Sequence, residues 1–380
     1  MPGPPLSMTS AQRLPASLTP LDVALATLLQ DLEPVAPCAL WTAEALGCVA
    51  AEMAPLHAVP PRDVAAADGW ALRSRDLVGA SSYSPLPLVK SPVWVEAGDA
   101  MPEGCDCVID ADSVDRAGPL AQVLAEAIPG QGVRRAGRDV AEGKSFIASG
   151  RCIRRADLLG ARAAGLETVR VRHPRLRLID IPANAGLSHT AQLIFELAGA
   201  AGAGTAWVEA RGRDAASIAE LIDVSACDLL VTTGGSGVGR TDAAISALAA
   251  RGADLVHGIA VQPGRTAAVG RIGKIPVIAL PGAPDQALAA WWTLALPVLD
   301  RLSGRQQRDR MTLPLKRKIA SSVGMAEIVL LERMEGAWLP LAIGDLPLAT
   351  IARADAWLVV SADSEGFAAD TPVDAYMLRE

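Results

Sequence analysis

At 380 residues the chain is too long for one small module and, at about 100–200 residues per domain, long enough for roughly two to four domains. Hydrophobic residues make up 51 % and charged residues 20 %, ordinary globular usage that excludes wholesale disorder. The formal charge is −7 and the arginines are scattered, which argues against nucleic acid as the main partner. The longest nearly uncharged apolar run, Ala287 to Leu299, falls short of the about 18 residues that a membrane-spanning helix needs. The N-terminus lacks the basic region and apolar stretch of a secretory signal, so a cytoplasmic location without a membrane partner is expected. None of the cysteines forms a CxxC pair, and Cys105 and Cys107 have no His nearby, so the thiols are expected to be structural.

Residues 1–16, rich in Pro and Ser, read as a disordered lead. Thr19-Pro20 then reads as an N-cap with proline in the first turn, opening a helix whose apolar face continues to Leu32. A second helix is expected over Thr42 to Met53, ended by Pro55, Pro60 and Pro61. Within the N-terminal region, 17–172, the short apolar runs Leu86 to Val95, Cys107 to Ile109 and Ala121 to Leu124 alternate with turn residues. They predict an inserted, mostly β lobe over about 58–145.

From Arg175 the pattern changes. Strands are predicted at Arg175 to Ile181, Gly204 to Glu209 and Asp228 to Thr233, with further apolar segments at Leu255 to Val261 and Pro276 to Leu280. Helices are predicted at Ser188 to Leu197, Asp214 to Leu221, Asp242 to Ala250 and Pro284 to Leu302. Parallel strands need helical crossovers, so this alternation predicts a doubly wound α/β domain over 173–304. In 305–380 the runs Ile328 to Leu331, Ala356 to Val360 and Val373 to Leu378 predict a C-terminal β-barrel-like domain. The expected fold class is therefore α/β plus β, in an elongated multidomain chain.

The most informative segment follows the strand Leu229 to Thr233. It runs into Gly234, Gly235, Ser236, Gly237, Val238 and Gly239, then Arg240, Thr241 and Asp242. Backbone N–H groups can converge there on an anion, aided by the dipole of the next helix. Asp242 either caps that helix or holds a cation for the anion's charge. The loop Leu280-Pro281-Gly282-Ala283-Pro284 also joins a strand to a helix, and two such loops predict one shared crevice. Between them lies Gln262-Pro263-Gly264-Arg265, where Arg265 either meets an oxyanion bidentately or is a solvated surface group.

These residues resemble the molybdopterin molybdenumtransferases, the MoeA and gephyrin E-domain family, from about Leu18 to the C-terminus. Pro61 to Ala71 is similar to the family's P-x-x-D-x-S-x-M-D-G-Y-A, and Ala97 to Asp106 and Val133 to Val140 match in order and spacing. Gly234 to Asp242 resembles G-G-V-S-V-G-x-x-D, Pro263-Gly264-Arg265 resembles P-G-K, and Leu280 to Pro284 resembles L-P-G-N-P. The resemblance implies a homodimer that cleaves adenylylated molybdopterin at its phosphoanhydride, inserts molybdate at the dithiolene and releases AMP. Its cleft would lie between the α/β domain of one subunit and the β lobe of the other. It further implies Asp68, Asp139, Asp214 and Asp242 as catalytic positions, with Asp214 and Asp242 on a divalent cation, magnesium foremost. The substrate would rest on Gly234, Gly235, Ser236, Gly237, Gly239, Pro263, Gly264, Arg265, Pro281, Gly282 and Pro284. An adenylyltransferase or a molybdoenzyme is an implied partner.

The sequence also departs from the family. Where T-G-D-E-L should follow the first α/β strand, Asp180-Ile181-Pro182-Ala183-Asn184 stands instead, and Asn184 carries no charge to hold a metal. Ala283 replaces the usual Asn, Asp285-Gln286 the usual Val-Ser, and Ala67 the usual Met. An Asp near an intended molybdate pocket repels an oxyanion unless it points away. These departures motivate a second reading, a catalytically impaired carrier or docking protein for molybdopterin or the finished cofactor. A third, a molybdopterin adenylyltransferase, rests on Thr233-Gly234-Gly235-Ser236-Gly237, similar to that family's T-G-G-T-G loop.

Overall fold

The computed structural model describes residues 12–118, 120–145, 147–183 and 188–378. At its centre is a six-stranded sheet in the order Gly204–Glu209, Arg175–Asp180, Leu229–Thr233, Ile275–Leu280, Ala268–Ile272, Asp254–His257. The first four strands run parallel, and the last two turn antiparallel at one edge. Alternation along the strands feeds two cores. Leu176, Leu178, Leu229 and Val231 enter one, with the helix His189–Ala200 and the helical run from Pro284; Ile179 and Leu230 enter the other, with the helices Ala215–Ala219 and Ala244–Ala250. Helices thus cover both faces, as doubly wound parallel strands require. The helix at His189 begins where Ser188 accepts the Ala191 N–H at 3.3 Å.

The C-terminal sheet contains Arg310–Pro314, Ala326–Met334, Ala337–Ile343, Ala356–Val360 and Pro372–Met377. A bridge between Leu315 and Trp338 draws its ends together around Val329, Leu331, Leu358 and Val373, which gives the barrel-like core. Trp292 stacks on Trp357 at 5.0 Å and Trp357 on Tyr376 at 4.7 Å, tying this sheet to the helical run after Pro284. In the N-terminal half, residues 64–134 form short antiparallel sheets, among them Gly69–Leu72 between Val93–Val95 and Cys107–Ile109.

Four expectations need correction. The stretch Thr42 to Met53 is not a helix; Cys38–Trp41 and Val49–Ala50 are strands paired with Thr168–Arg172. Gly47 between them has φ +81°, and a Cβ there would stand 2.6 Å from Ala200 O, so the chain turns where a helix would have to continue. Thr19–Pro20 pairs with Ile259–Ala260 rather than capping with a side chain, and the helix spans Leu21–Leu29. Leu255 to Val261 is split at Gly258, φ +89°, into Asp254–His257 of the central sheet and Ile259–Gln262, which joins the C-terminal sheet beside Ala326–Met334. Of the lead predicted as disordered, residues 1–11 lie outside the described residues, whereas Gln12 is 9 % exposed and docked on the glycine loop.

Candidate functional site

The parallel strands end at a crevice of about 430 Å³, with Gly234, Gly235, Gly237, Pro281 and Gly282 on its wall. The two glycine loops therefore share one cavity, as their positions after adjacent strands predict. They touch closely: a Cβ on Gly282 would lie 3.4 Å from Gly234 Cα. Gly234 N–H donates to Leu280 O at 3.0 Å, and Thr190 Oγ1 donates to Gly282 O at 2.7 Å. Gly234 has φ +82° and Gly235 φ +67°, a left-handed pair that glycine adopts readily. Among the described residues no acceptor is found for the N–H groups of Ser236, Gly237 and Val238.

The dipole of the following helix is not what the crevice offers. Ala244 N–H donates to Gly235 O, and the Ile245 and Ser246 N–H groups donate to the Gln12 side-chain oxygen at 2.9 and 3.4 Å. The N–H groups of Ala244, Ile245 and Ser246 in the first turn of Ala244–Ala250 are already satisfied, so they have no bond to offer a ligand in the crevice. Ser236, expected on the anion with its glycine neighbours, is wholly buried and absent from the cavity wall. Gly239 donates its N–H to Asp242 at 2.9 Å, and Pro284 starts the helix behind the second loop.

Of the four predicted acids only Asp242 lines the crevice. Its Oδ1 accepts from Arg213 Nη2 at 2.7 Å. Arg213 is also held by Ile181 O at 3.2 Å and Pro182 O at 2.8 Å, through Nη1. Asp214 instead caps the helix Ala215–Ala219, accepting from Ser217 N–H at 2.9 Å and Ser217 Oγ at 2.7 Å, bonds that hold its carboxyl below the usual carboxylate range. Asp68 accepts the Ala97 N–H at 2.8 Å and Asp139 pairs with Arg134 at 3.0 Å, both outside this cavity. Asp214 and Asp242 are thus committed to a cap and an ion pair. Among the described residues no group of three or more His, Cys, Asp and Glu could hold a metal ion, so any magnesium ion here would rest on one or two carboxylates and on substrate oxygens.

Asp180 supplies a carboxyl where the strand meets the crevice. It is 2 % exposed, its Oδ1 accepts from Thr233 Oγ1 at 3.1 Å, and burial pushes it above the usual carboxylate range against the pull of the Ser188 and Thr233 hydroxyls. Asn184, which stands where the family acid is expected, lies outside the described residues. Pro263, Gly264 and Arg265 do not enter this crevice but line a second cavity of about 380 Å³. There Arg265 shares the wall with Asp285 and Asp345, and Gln286 borders both cavities. Sequence reasoning missed Arg213, Thr190, Gln12 and His257. The one available signal was that Arg213 lies in the loop after the strand Gly204–Glu209, at the same carboxyl edge of the parallel strands as the glycine loop.

A mixed sheet with two glycine loops at its carboxyl edge, carried beside a β lobe and a barrel-like β domain, defines an α/β protein of several domains with a glycine-lined crevice. Residues 19–165 match the MoeA N-terminal region (domain I and II), and residues 183–301 match a probable molybdopterin binding domain. The chain is 30 % identical over 292 residues to molybdopterin molybdenumtransferase 2 of Mycobacterium tuberculosis, covering 66 % of this chain and 71 % of that protein. It is 27 % identical over 321 residues to the molybdopterin molybdenumtransferase of Haemophilus influenzae, covering 76 % and 78 %. A crystal structure of the molybdopterin biosynthesis MoeA protein from Pyrococcus horikoshii superposes with TM-score 0.69 at 23 % identity, covering 95 % of this chain and 100 % of that one. The chain belongs to the molybdopterin molybdenumtransferase (MoeA) family, and with it to molybdenum cofactor biosynthesis. Among the described residues no helix is long and apolar enough to cross a membrane.

Proposed function

We propose that the protein is a molybdopterin molybdenumtransferase that takes adenylylated molybdopterin and molybdate, cleaves the phosphoanhydride and releases AMP. The observation that carries this reading is the crevice where Gly234 to Gly237 and Pro281 to Gly282 meet, with loop N–H groups free of other acceptors. Such groups hold phosphate oxygens without a counter-charge and are worth most where water is excluded. The Arg213–Asp242 pair adds no net charge, so the loop carries the anion and Arg213 holds the Ile181 and Pro182 carbonyls and Asp242 in place. Asp180 is the buried carboxyl nearest the missing acidic motif and the residue proposed to hold a proton there. The protein is proposed to act in the cytoplasm as a homodimer, with Asp68 and Asp139 reaching the crevice of a second copy.

The test is AMP release from adenylylated molybdopterin with molybdate, followed by chromatography. Release is expected, with a loss of about a hundredfold in Asp242→Ala, as for removal of one group organising an oxyanion site. One observation favours a second reading, the impaired carrier: the only predicted acid lining the crevice is already paired with Arg213. Tight substrate binding without AMP release would establish that reading in place of the first.

A further inference from the structure

The glycine loop is held by its carbonyl groups. Gly235 O accepts from the Gln12 side-chain amide at 3.0 Å, and Gly237 O accepts from the same amide at 2.8 Å. Between them, Ser236 O lies 2.9 Å from His257 Nε2, and since a carbonyl only accepts, that ring nitrogen carries the hydrogen. In a trans peptide the C=O and the following N–H point in opposite directions. A carbonyl held from the rear therefore turns the next residue's N–H away from its holder. Holding Gly235, Ser236 and Gly237 in this way sets the directions of the Ser236, Gly237 and Val238 N–H groups, for which no other acceptor is found among the described residues.

Gln12 reaches two of these three carbonyls, sharing Gly235 O with the Ala244 N–H and standing alone at Gly237 O, and its side-chain oxygen joins them to the Ile245 and Ser246 N–H groups. It is absent from the cavity wall, so it acts from behind the loop. The segment that brings it there is packed: a Cβ on Gly258 would meet Leu18, Leu14 and Pro15 at 3.0–3.1 Å.

We propose that Gln12 is a positioning residue, a brace that keeps the loop's N–H groups converged on the phosphate of the bound nucleotide. The proposal rests on reading the crevice as a phosphate site. Glycines have more backbone freedom than any other residue, so without the brace the peptide after Gly237 rotates among alternatives that present its carbonyl to the anion, and the Ala244 N–H is left as the one anchor of Gly235 O. Binding then selects the ordered fraction, and if that fraction falls to about a tenth, affinity falls about tenfold.

The experiment compares the full chain with Gln12→Met, which keeps the shape and removes the amide. Val329→Ala, a change in the C-terminal core, serves as a stability control. AMP and adenosine are titrated into each, with the unfolding midpoint measured in parallel. Expected are AMP bound more tightly than adenosine by the unaltered chain, about a tenfold loss for AMP alone in Gln12→Met, and a lower midpoint with unchanged AMP affinity in Val329→Ala. The proposal is overturned if Gln12→Met binds AMP like the unaltered chain, weakens AMP and adenosine alike, or does not fold. It is also overturned if Val329→Ala loses AMP affinity to the same degree. If the unaltered chain holds AMP no better than adenosine, the phosphate reading itself fails and the brace fails with it.

Discussion

Removing Arg213 tests the electrostatic argument most directly. Its guanidinium reaches Ile181 O, Pro182 O and Asp242 Oδ1, and the two charged side chains are 24 % and 17 % exposed. Exposed ion pairs contribute about 0–1 kcal/mol, whereas breaking a buried one costs about 3–5 kcal/mol because a charge is left without its partner. A pair about one-fifth exposed lies toward the buried end. Arg213→Ala is therefore expected to cost about 3 kcal/mol, most of it from stranding the Asp242 carboxylate and two carbonyls. Arg213→Ala with Asp242→Ala removes that stranded carboxylate, so the double variant should fall short of the sum of the singles by about 2 kcal/mol. Urea unfolding of the four full-length proteins measures the cycle, and AMP titration supplies a second axis. Arg213→Ala should weaken AMP through the unneutralised Asp242, and the double variant should recover part of the loss. Additivity within about 0.5 kcal/mol, or no recovery, would refute the claim that Arg213 and Asp242 act as one neutral unit.

Gly234→Ala should abolish AMP binding, since its φ of +82° costs a side chain about 1–2 kcal/mol and the new Cβ would stand 2.4 Å from Ile181 O. Gly282→Ala meets only an ordinary 3.4 Å contact and should bind nearly normally, so calorimetry giving the opposite order would contradict the loop geometry. Burial raises the Asp180 carboxyl, so between the ordinary carboxylate range and the raised folded value the native state keeps a proton that the unfolded chain releases. Stability falls as pH rises through that window. Asp180→Asn has no proton to lose, so its urea midpoints should vary less with pH there, and parallel profiles would sink the assignment. Magnesium titrated into the protein alone should show no saturable site on Asp214 and Asp242; a site abolished by Asp214→Asn would show that the cap at Ser217 yields to a metal.

The parallel half of the central sheet was legible because each strand is a short run that meets a Gly or Pro within three residues of its end. Gly204–Glu209 forms as read, and Ser188 caps its helix. Local pattern failed where one glycine or a distant partner decides the path. Gly47 turns what helical spacing suggested was continuous, and the helix Arg155–Ala163 went unread although Asp157 accepts the Arg154 N–H at 2.9 Å at its start. At the site, the glycines announce the loop, but nothing in the local sequence shows that Asp214 bonds Ser217 while Asp242 bonds Arg213. Gln12 was illegible for the same reason: its partners lie more than two hundred residues away along the chain.

Gly258 separates two kinds of anion environment. On one side of it, His257 ends the edge strand and holds Ser236 O behind the glycine loop. On the other, Ile259–Gln262 crosses into the C-terminal sheet and carries Pro263, Gly264 and Arg265 to a cavity shared with Asp285 and Asp345. The first environment offers backbone N–H groups, a neutral Arg213–Asp242 pair and the buried Asp180 carboxyl; the second offers one guanidinium against two carboxylates. A free oxyanion in the second cavity meets a field that its own charge opposes, whereas an oxyanion on the glycine loop meets backbone N–H groups and one buried carboxyl whose ionisation burial disfavours. On the proposed reading, the substrate's phosphate end belongs in the first cavity. Asp285 and Asp345 are the residues whose charge decides how well any oxyanion is held in the second.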